Sequence, residues 1–183
     1  MRTHFIRATI VIAAVAGVYT WRAAGAPILP AQAKLPQKVL SLAGIRTVTL
    51  QVAPMPPELE AVGLSAGKVT NQWKVILDEA GIEVIADDHE RARSVPLIEL
   101  ESSTSTDEDL PGGVAFIGSV SVHQKVYVER LDRTMLVPTY VDAILGVDKD
   151  PDLAVTAEAA FAILVENFLT RMSRASAQIR AAD

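Results

Sequence analysis

Between Thr47 and Ala86 the sequence spells a strand, a crossover helix and a second strand, and that unit limits what the rest of the chain can build. In T-V-T-L-Q-V, Val48, Leu50 and Val52 alternate with Thr47, Thr49 and Gln51, the period of a half-buried strand. A loop with Pro54, Pro56 and Pro57 follows, and Leu64-Ser65 opens a helix. Ser65 is a good N-cap because its hydroxyl can accept from an orphan amide of the first turn, and Leu64 and Val69 are spaced for a hydrophobic staple. Ala66, Val69, Trp73, Ile76, Leu77 and Ala80 fall on one helical face, opposite Lys68, Asn71, Gln72, Lys74 and Asp78. Gly81 suits the position after the helix, where a positive φ costs glycine little. Ile82 to Ile85 then reads as the second strand. A crossover of this length joins parallel strands and lays its helix on one face of the sheet.

The remaining elements follow from the same rules. Asp87-Asp88-His89-Glu90 predicts a short helix, with Asp87 as cap and Glu90 placed as in a capping box. A strand is expected from Pro96 to Glu101, then a polar loop ending in Pro111-Gly112-Gly113. Val114 to Glu129 carries the longest strand signal, with Val120, Val122, Val126 and Val128 on one side. Ser119, Ser121, His123, Lys125, Tyr127 and Glu129 lie on the other. Leu131-Asp132-Arg133 turns into a partner strand, Thr134 to Leu145. A long helix closes the chain, striped by Leu153, Ala157, Ala160, Phe161, Leu164, Phe168, Met172 and Ala175. The order is β-α-β-(short α)-β-β-β-α. It predicts an α+β, two-layer α/β sandwich: a mixed sheet with its two main helices on one face.

At the N-terminus, Arg2 and Arg7 precede an uncharged run from Ala8 to Val18, and Ala31-Gln32-Ala33 is a small-residue cleavage candidate. Residues 1–33 therefore read as a signal peptide, 34–44 as a leader, and 45–180 as a single α/β domain. The run to Trp21 falls short of the ~20 residues a spanning helix needs, which favours cleavage over the alternative of an uncleaved inner-membrane anchor. The expected location is periplasmic or secreted. Cleavage would remove three arginines and no acid from 17 basic and 22 acidic residues, leaving a net charge of −8. An acidic domain with no basic stripe is a poor partner for nucleic acid or anionic headgroups, so neither is expected; membrane contact is expected only if the first segment stays uncleaved. No cysteine is present, which excludes disulfides, thiolate metal sites and a lipid-modified cysteine in this sequence.

L-A-G-I-R-T-V-T-L at 42–50, A-G-I-E-V at 80–84, the valine-rich hairpin and the terminal amphipathic helix together resemble a loose group of exported bacterial proteins. The layout is also similar to the small domain of TolB-like and curli-secretion-type envelope proteins. The resemblance implies an envelope accessory role and brings no site residues with it.

Motifs for chemistry fail on their own geometry. Gly63-Leu64-Ser65-Ala66-Gly67-Lys68 has three residues between its glycines where a phosphate loop needs four, and Val69 stands where a magnesium-binding hydroxyl belongs. Asp148, Asp150 and Asp152 open like a calcium loop, but Leu153 and Ala159 occupy the required Gly and Glu positions. His89 among Asp87, Asp88 and Glu90, and the run Asp107-Glu108-Asp109, lack a second ligand cluster. His123 with Ser119 and Ser121 has no nucleophile elbow, so no catalytic residue, cofactor or metal is assigned.

One irregularity carries the functional expectation. On the strand from Thr134 to Leu145, the side with Met135, Val137, Val141 and Leu145 is apolar as a core face should be. The other side carries Leu136, Pro138, Tyr140 and Ile144, which is no solvated surface. Pro138 confines such a strand to an edge or a bulge. Leu136, Tyr140 and Ile144 are thus candidates for binding another envelope protein or a second copy, in a non-enzymatic accessory or assembly role. The competing reading is a bulge that flips the register, or cover from another segment. The alternative function is a carrier of a small apolar ligand between sheet and helices, with Trp73 and Phe161 as walls.

Overall fold

The computed structural model describes residues 34–106, 112–149 and 152–182. Residues 1–33, read above as a signal peptide, the acidic run at 107–109, Asp150 and Pro151 lie outside them. One compact unit spans Leu35–Asp183. It contains helix α1 (Gln37–Leu40), strand β1 (Thr47–Val52), helices α2 (Pro57–Ala61) and α3 (Ala66–Glu79), and strand β2 (Glu83–Ile85). Strands β3 (Leu97–Thr106), β4 (Gly113–Val128) and β5 (Arg133–Lys149) and helix α4 (Leu153–Arg180) complete it. The strands form one mixed sheet in the order β2-β1-β3-β4-β5. β1 runs parallel to β2 and β3, while the β3-β4-β5 meander is antiparallel. This is the α+β sandwich the periodicities predict.

Local chemistry sets the crossover. Ser65 Oγ accepts from the Lys68 amide at 3.2 Å, and Gly81 has φ +76° immediately after the helix. Leu64, Val69, Trp73 and Leu77 are buried, facing Val48, Ile98 and Leu100 of the sheet's core side. The lysine of the apparent phosphate loop, Lys68, pairs with Glu158 of α4 and ties the two main helices together.

Residues 35–44 of the expected leader lie in the packed unit: Val39 and Leu42 are buried, and the Leu35 amide donates to Gln178 Oε1 at 3.0 Å. Alternating apolar residues there were too few to signal a helix, since α1 is a single turn held by α4 and β5. The helix expected from Asp87 is instead a run of turns ending in a 3₁₀ turn, Ala92–Ser94. His89 Nδ1 accepts from the Arg91 amide at 3.1 Å, so a local side-chain bond takes the place of the helical one. Pro96 then forces the chain back to extended geometry.

α4 is long and apolar enough, by length and composition, to cross a membrane. Its inward stripe of Phe161, Leu164, Val165 and Phe168 lies in the core instead. Phe161 and Leu164 sit 3.5 Å from the place a Cβ would take on Gly118 of β4, so the helix packs closely on that strand.

Candidate functional site

The helices cover one face of the sheet and leave the other open, and the two faces are sorted along β4 by parity. Phe116, Val120 and Val122 are buried under the helices, whereas Ile117, Ser119, Ser121 and His123 face away from them. Cross-strand partners share a face. Ile117 is opposite Leu145, Ser121 opposite Val141, and Val122 opposite Tyr140. The register then slips: His123 is opposite Pro138, and Thr139 is the extra residue of a β-bulge.

That single inserted residue decides where the predicted binding residues go. Tyr140 is 1% exposed under α4, and Ile144 packs against the core. Leu136, beyond the bulge and opposite Lys125, lies on the open face and is 55% exposed. Leu136, Tyr140 and Ile144 therefore do not form one surface. Conversely Val141 and Leu145, expected inside, are 50% and 67% exposed on the open face, next to Val147. The sequence signal for this was the polar Thr139 beside Pro138, where the apolar alternation breaks.

The covered side of β5 is fixed by a polar knot. Arg171 Nη1 of α4 donates to the Tyr140 hydroxyl at 2.8 Å and pairs with Asp142 Oδ2 at 3.1 Å. The Tyr140 hydroxyl donates to Asp142 at 3.3 Å, and its ring meets Phe168 at 6.2 Å between centroids. Burial, with the Asp142 charge second, pushes the Tyr140 hydroxyl up to about 12, against the opposing effect of Arg171. Farther along, the Asp148 carboxylate accepts from the Thr156 hydroxyl and the Lys149 amide, which holds it below the usual carboxylate range. Asp148 is thus bound to the start of α4 rather than turned toward a calcium site.

On the open face, Glu99, Ser121 and His123 meet. His123 Nε2 lies 2.8 Å from Ser121 Oγ and 3.2 Å from Glu99 Oε2. Both contacts fall on one ring nitrogen. A catalytic relay needs the base and the orienting carboxylate on opposite nitrogens, so this cluster has the residues of a triad without its geometry. Among the described residues no group of three His, Asp or Glu is arranged to hold a metal. Trp73 and Phe161, the carrier's expected walls, are both fully buried among core side chains.

Near Leu136 the connection from β2 to β3 crosses the open face, and Asp87, Arg93 and Val95 form a cleft of about 370 Å³ with Gln51, Leu97 and Leu136. Thr49 is buried beneath it. The other end, from Val141 to Val147, has no such cover among the described residues.

No family model matches the chain, and no curated protein matches it. Among solved structures it is similar to a minor lipoprotein from Acinetobacter baumannii, at 12% identity and a TM-score of 0.40, over 71% of this chain and 92% of that one. It is similar to a hypothetical protein from Chlamydia trachomatis, at 9% identity and 0.42, over 69% and 98%. It is also similar to the rare lipoprotein B from Shewanella oneidensis, at 15% identity and 0.27, over 75% and 96%.

Proposed function

We propose that this chain is an exported, non-enzymatic docking domain of the bacterial envelope, which binds another envelope protein or a second copy through its outer strand. One observation carries the reading: Ile117, Val141, Leu145 and Val147 form an exposed apolar ladder beside Ser119 and Ser121 on the open face. Contiguous exposed apolar surface of this kind marks interaction sites more often than it decorates a monomer. Leu136 shares the face, on the far side of the bulge. The Arg2, Arg7 and Ala8–Val18 pattern supports export, and the similarity in element order to TolB-like and curli-secretion-type domains points the same way.

A photo-crosslinking amino acid placed at Leu145 of the full chain, in its own host, tests this. A discrete protein adduct is expected at Leu145 and not at Val75, an equally exposed residue on α3. Equal labelling at both positions, or none at Leu145, overturns the docking reading.

A further inference from the structure

Among the described residues, the outer edge of β5 is guarded along one half and bare along the other. A free edge is a template for another strand, and proteins block it with prolines, bulges, charges or cover. From Arg133 to Thr139 all of these are present: Arg133, Pro138, the bulge at Thr139, and the Ser41 hydroxyl donating to the Thr139 carbonyl at 3.4 Å. From Tyr140 to Val147 the one charge is Asp142, and it is turned to the helix side and held by Arg171. Val141, Ala143, Leu145 and Val147 line the open face there with no charge between them.

Resting on the docking reading above, we infer that the occupant of this bare half is the same half-strand of a second copy, paired antiparallel about a two-fold axis at Ile144. Side-chain chemistry selects the copy and the register together. Centred on Ile144, Val141 lies opposite Val147 of the second copy, a β-branched pair, and Ala143 opposite its Leu145, a small residue against a large one. Asp142 faces Gly146, which leaves it room, and Asp148 faces Tyr140. A centre at Asp142 sets that carboxylate against itself, and a centre at Leu145 sets Asp142 against Asp148; like charges directly opposite are unfavourable. A centre at Ala143 pairs only Tyr140 to Gly146 before it meets the bulge and Pro138, where a ladder cannot continue. A centre at Ile144 pairs Tyr140 to Asp148, the longest ladder of these with no like charges opposite, and it stops where the guarded half begins. The product is a continuous ten-stranded sheet with Ile117 of each copy flanking a joined apolar stripe.

The absence of cysteine makes the register directly readable. Full-length chains carrying Ala143→Cys or Leu145→Cys, on exposed open-face positions, are oxidised separately and as a mixture with copper phenanthroline. Paired positions bring the two Cα atoms within disulfide reach, whereas a residue and its own copy two positions off register lie beyond the ~7 Å limit. The expected result is a linked heterodimer from the mixture, little from either variant alone, and a dimer mass by light scattering of the untreated chain that falls to a monomer with Leu145→Asp. A strong homodimer from Ala143→Cys alone overturns the register. A monomer at every concentration, with no crosslink in the mixture, overturns the self-pairing. If photo-crosslinking at Leu145 then still captures a different protein, the docking reading stands and this inference alone fails.

Discussion

The two faces of β5 carry comparable hydrophobic content, yet one is the fold and the other is spare. On the covered face Phe116, Val120, Val122 and Tyr140 meet Phe161, Leu164 and Phe168 of α4 and are withdrawn from water. On the open face Ile117, Val141, Leu145 and Val147 remain about half exposed or more among the described residues. Apolar side chains stabilise a fold in proportion to the area they lose to water, so the second set contributes little until something covers it. What separates the two is strand parity: the even-numbered residues of β4 and of β5 after the bulge turn to the helices, and the odd-numbered ones turn away.

The largest test of that contrast pairs Phe168→Ala with Leu145→Ser. Truncating a buried phenylalanine removes transfer energy and leaves a cavity, a cost of about 3–5 kcal/mol. The surface change should alter monomer stability by no more than about 0.5 kcal/mol. Urea unfolding at low protein concentration measures both. Comparable losses would mean that the open face is covered within the folded chain itself.

Next in size is the knot that pins the covered side of β5 to α4. Arg171→Met leaves Asp142 and Tyr140 without their shared donor, which should cost about 1–3 kcal/mol, as for other groups left unsatisfied under cover. The same knot has a pH signature. Folded Tyr140 holds its proton up to about 12, above the ordinary tyrosine value of 10.0. Between those values the folded chain binds more protons than the unfolded one, so stability falls as pH rises from about 10 through about 12 and is fully present below. Tyr140→Phe should flatten that slope; an unchanged alkaline transition would remove Tyr140 from its cause.

How much of this was written in the sequence divides along the same line. The β1-α3-β2 unit was legible, apart from the short helix α2 between β1 and α3, because its determinants are local: alternation in Thr47–Val52, the Ser65 cap, the apolar face from Ala66 to Ala80, and Gly81. The faces of β5 were not. Side chains alternate with a period of two, so one extra residue at Thr139 exchanges every inward and outward position beyond it. Tyr140 and Ile144 thereby joined the core, and Val141 and Leu145 left it. Nor could periodicity show that Ser121 and Glu99 would converge on one nitrogen of His123, which depends on how β3 pairs with β4. The half-guarded edge was visible only in part, through Pro138.

Two glycines on the covered face sharpen the comparison at a smaller scale. A Cβ on Gly146 would sit 2.4 Å from the Phe116 ring, while one on Gly118 would rest at 3.5 Å from Phe161 and Leu164. Gly146→Ala must push aside a buried ring and should cost about 1–3 kcal/mol, as overpacking does. Gly118→Ala makes ordinary contact and should shift stability by less than about 0.5 kcal/mol. Thermal or urea unfolding of the pair distinguishes them, and equal effects would mean that Phe116 has another rotamer open to it.

A change remote from β5 isolates the self-pairing from stability in general. Ser65→Ala removes a cap at the start of α3, whose partner is the Lys68 amide, and should cost about 1 kcal/mol. That loss is local to the crossover, on the opposite side of the sheet order from β5. Crosslinking between Ala143→Cys and Leu145→Cys should therefore survive it unchanged. Gly146→Ala, by contrast, displaces β5 backbone opposite Asp142 of the second copy and should lower the crosslink yield along with stability. If the cap variant reduced the crosslink as much as the glycine variant, dimerisation would be following overall stability rather than the geometry of the β5 edge. A reduction by Gly146→Ala alone ties the association to that strand, because the two variants then differ chiefly in where the chain is disturbed.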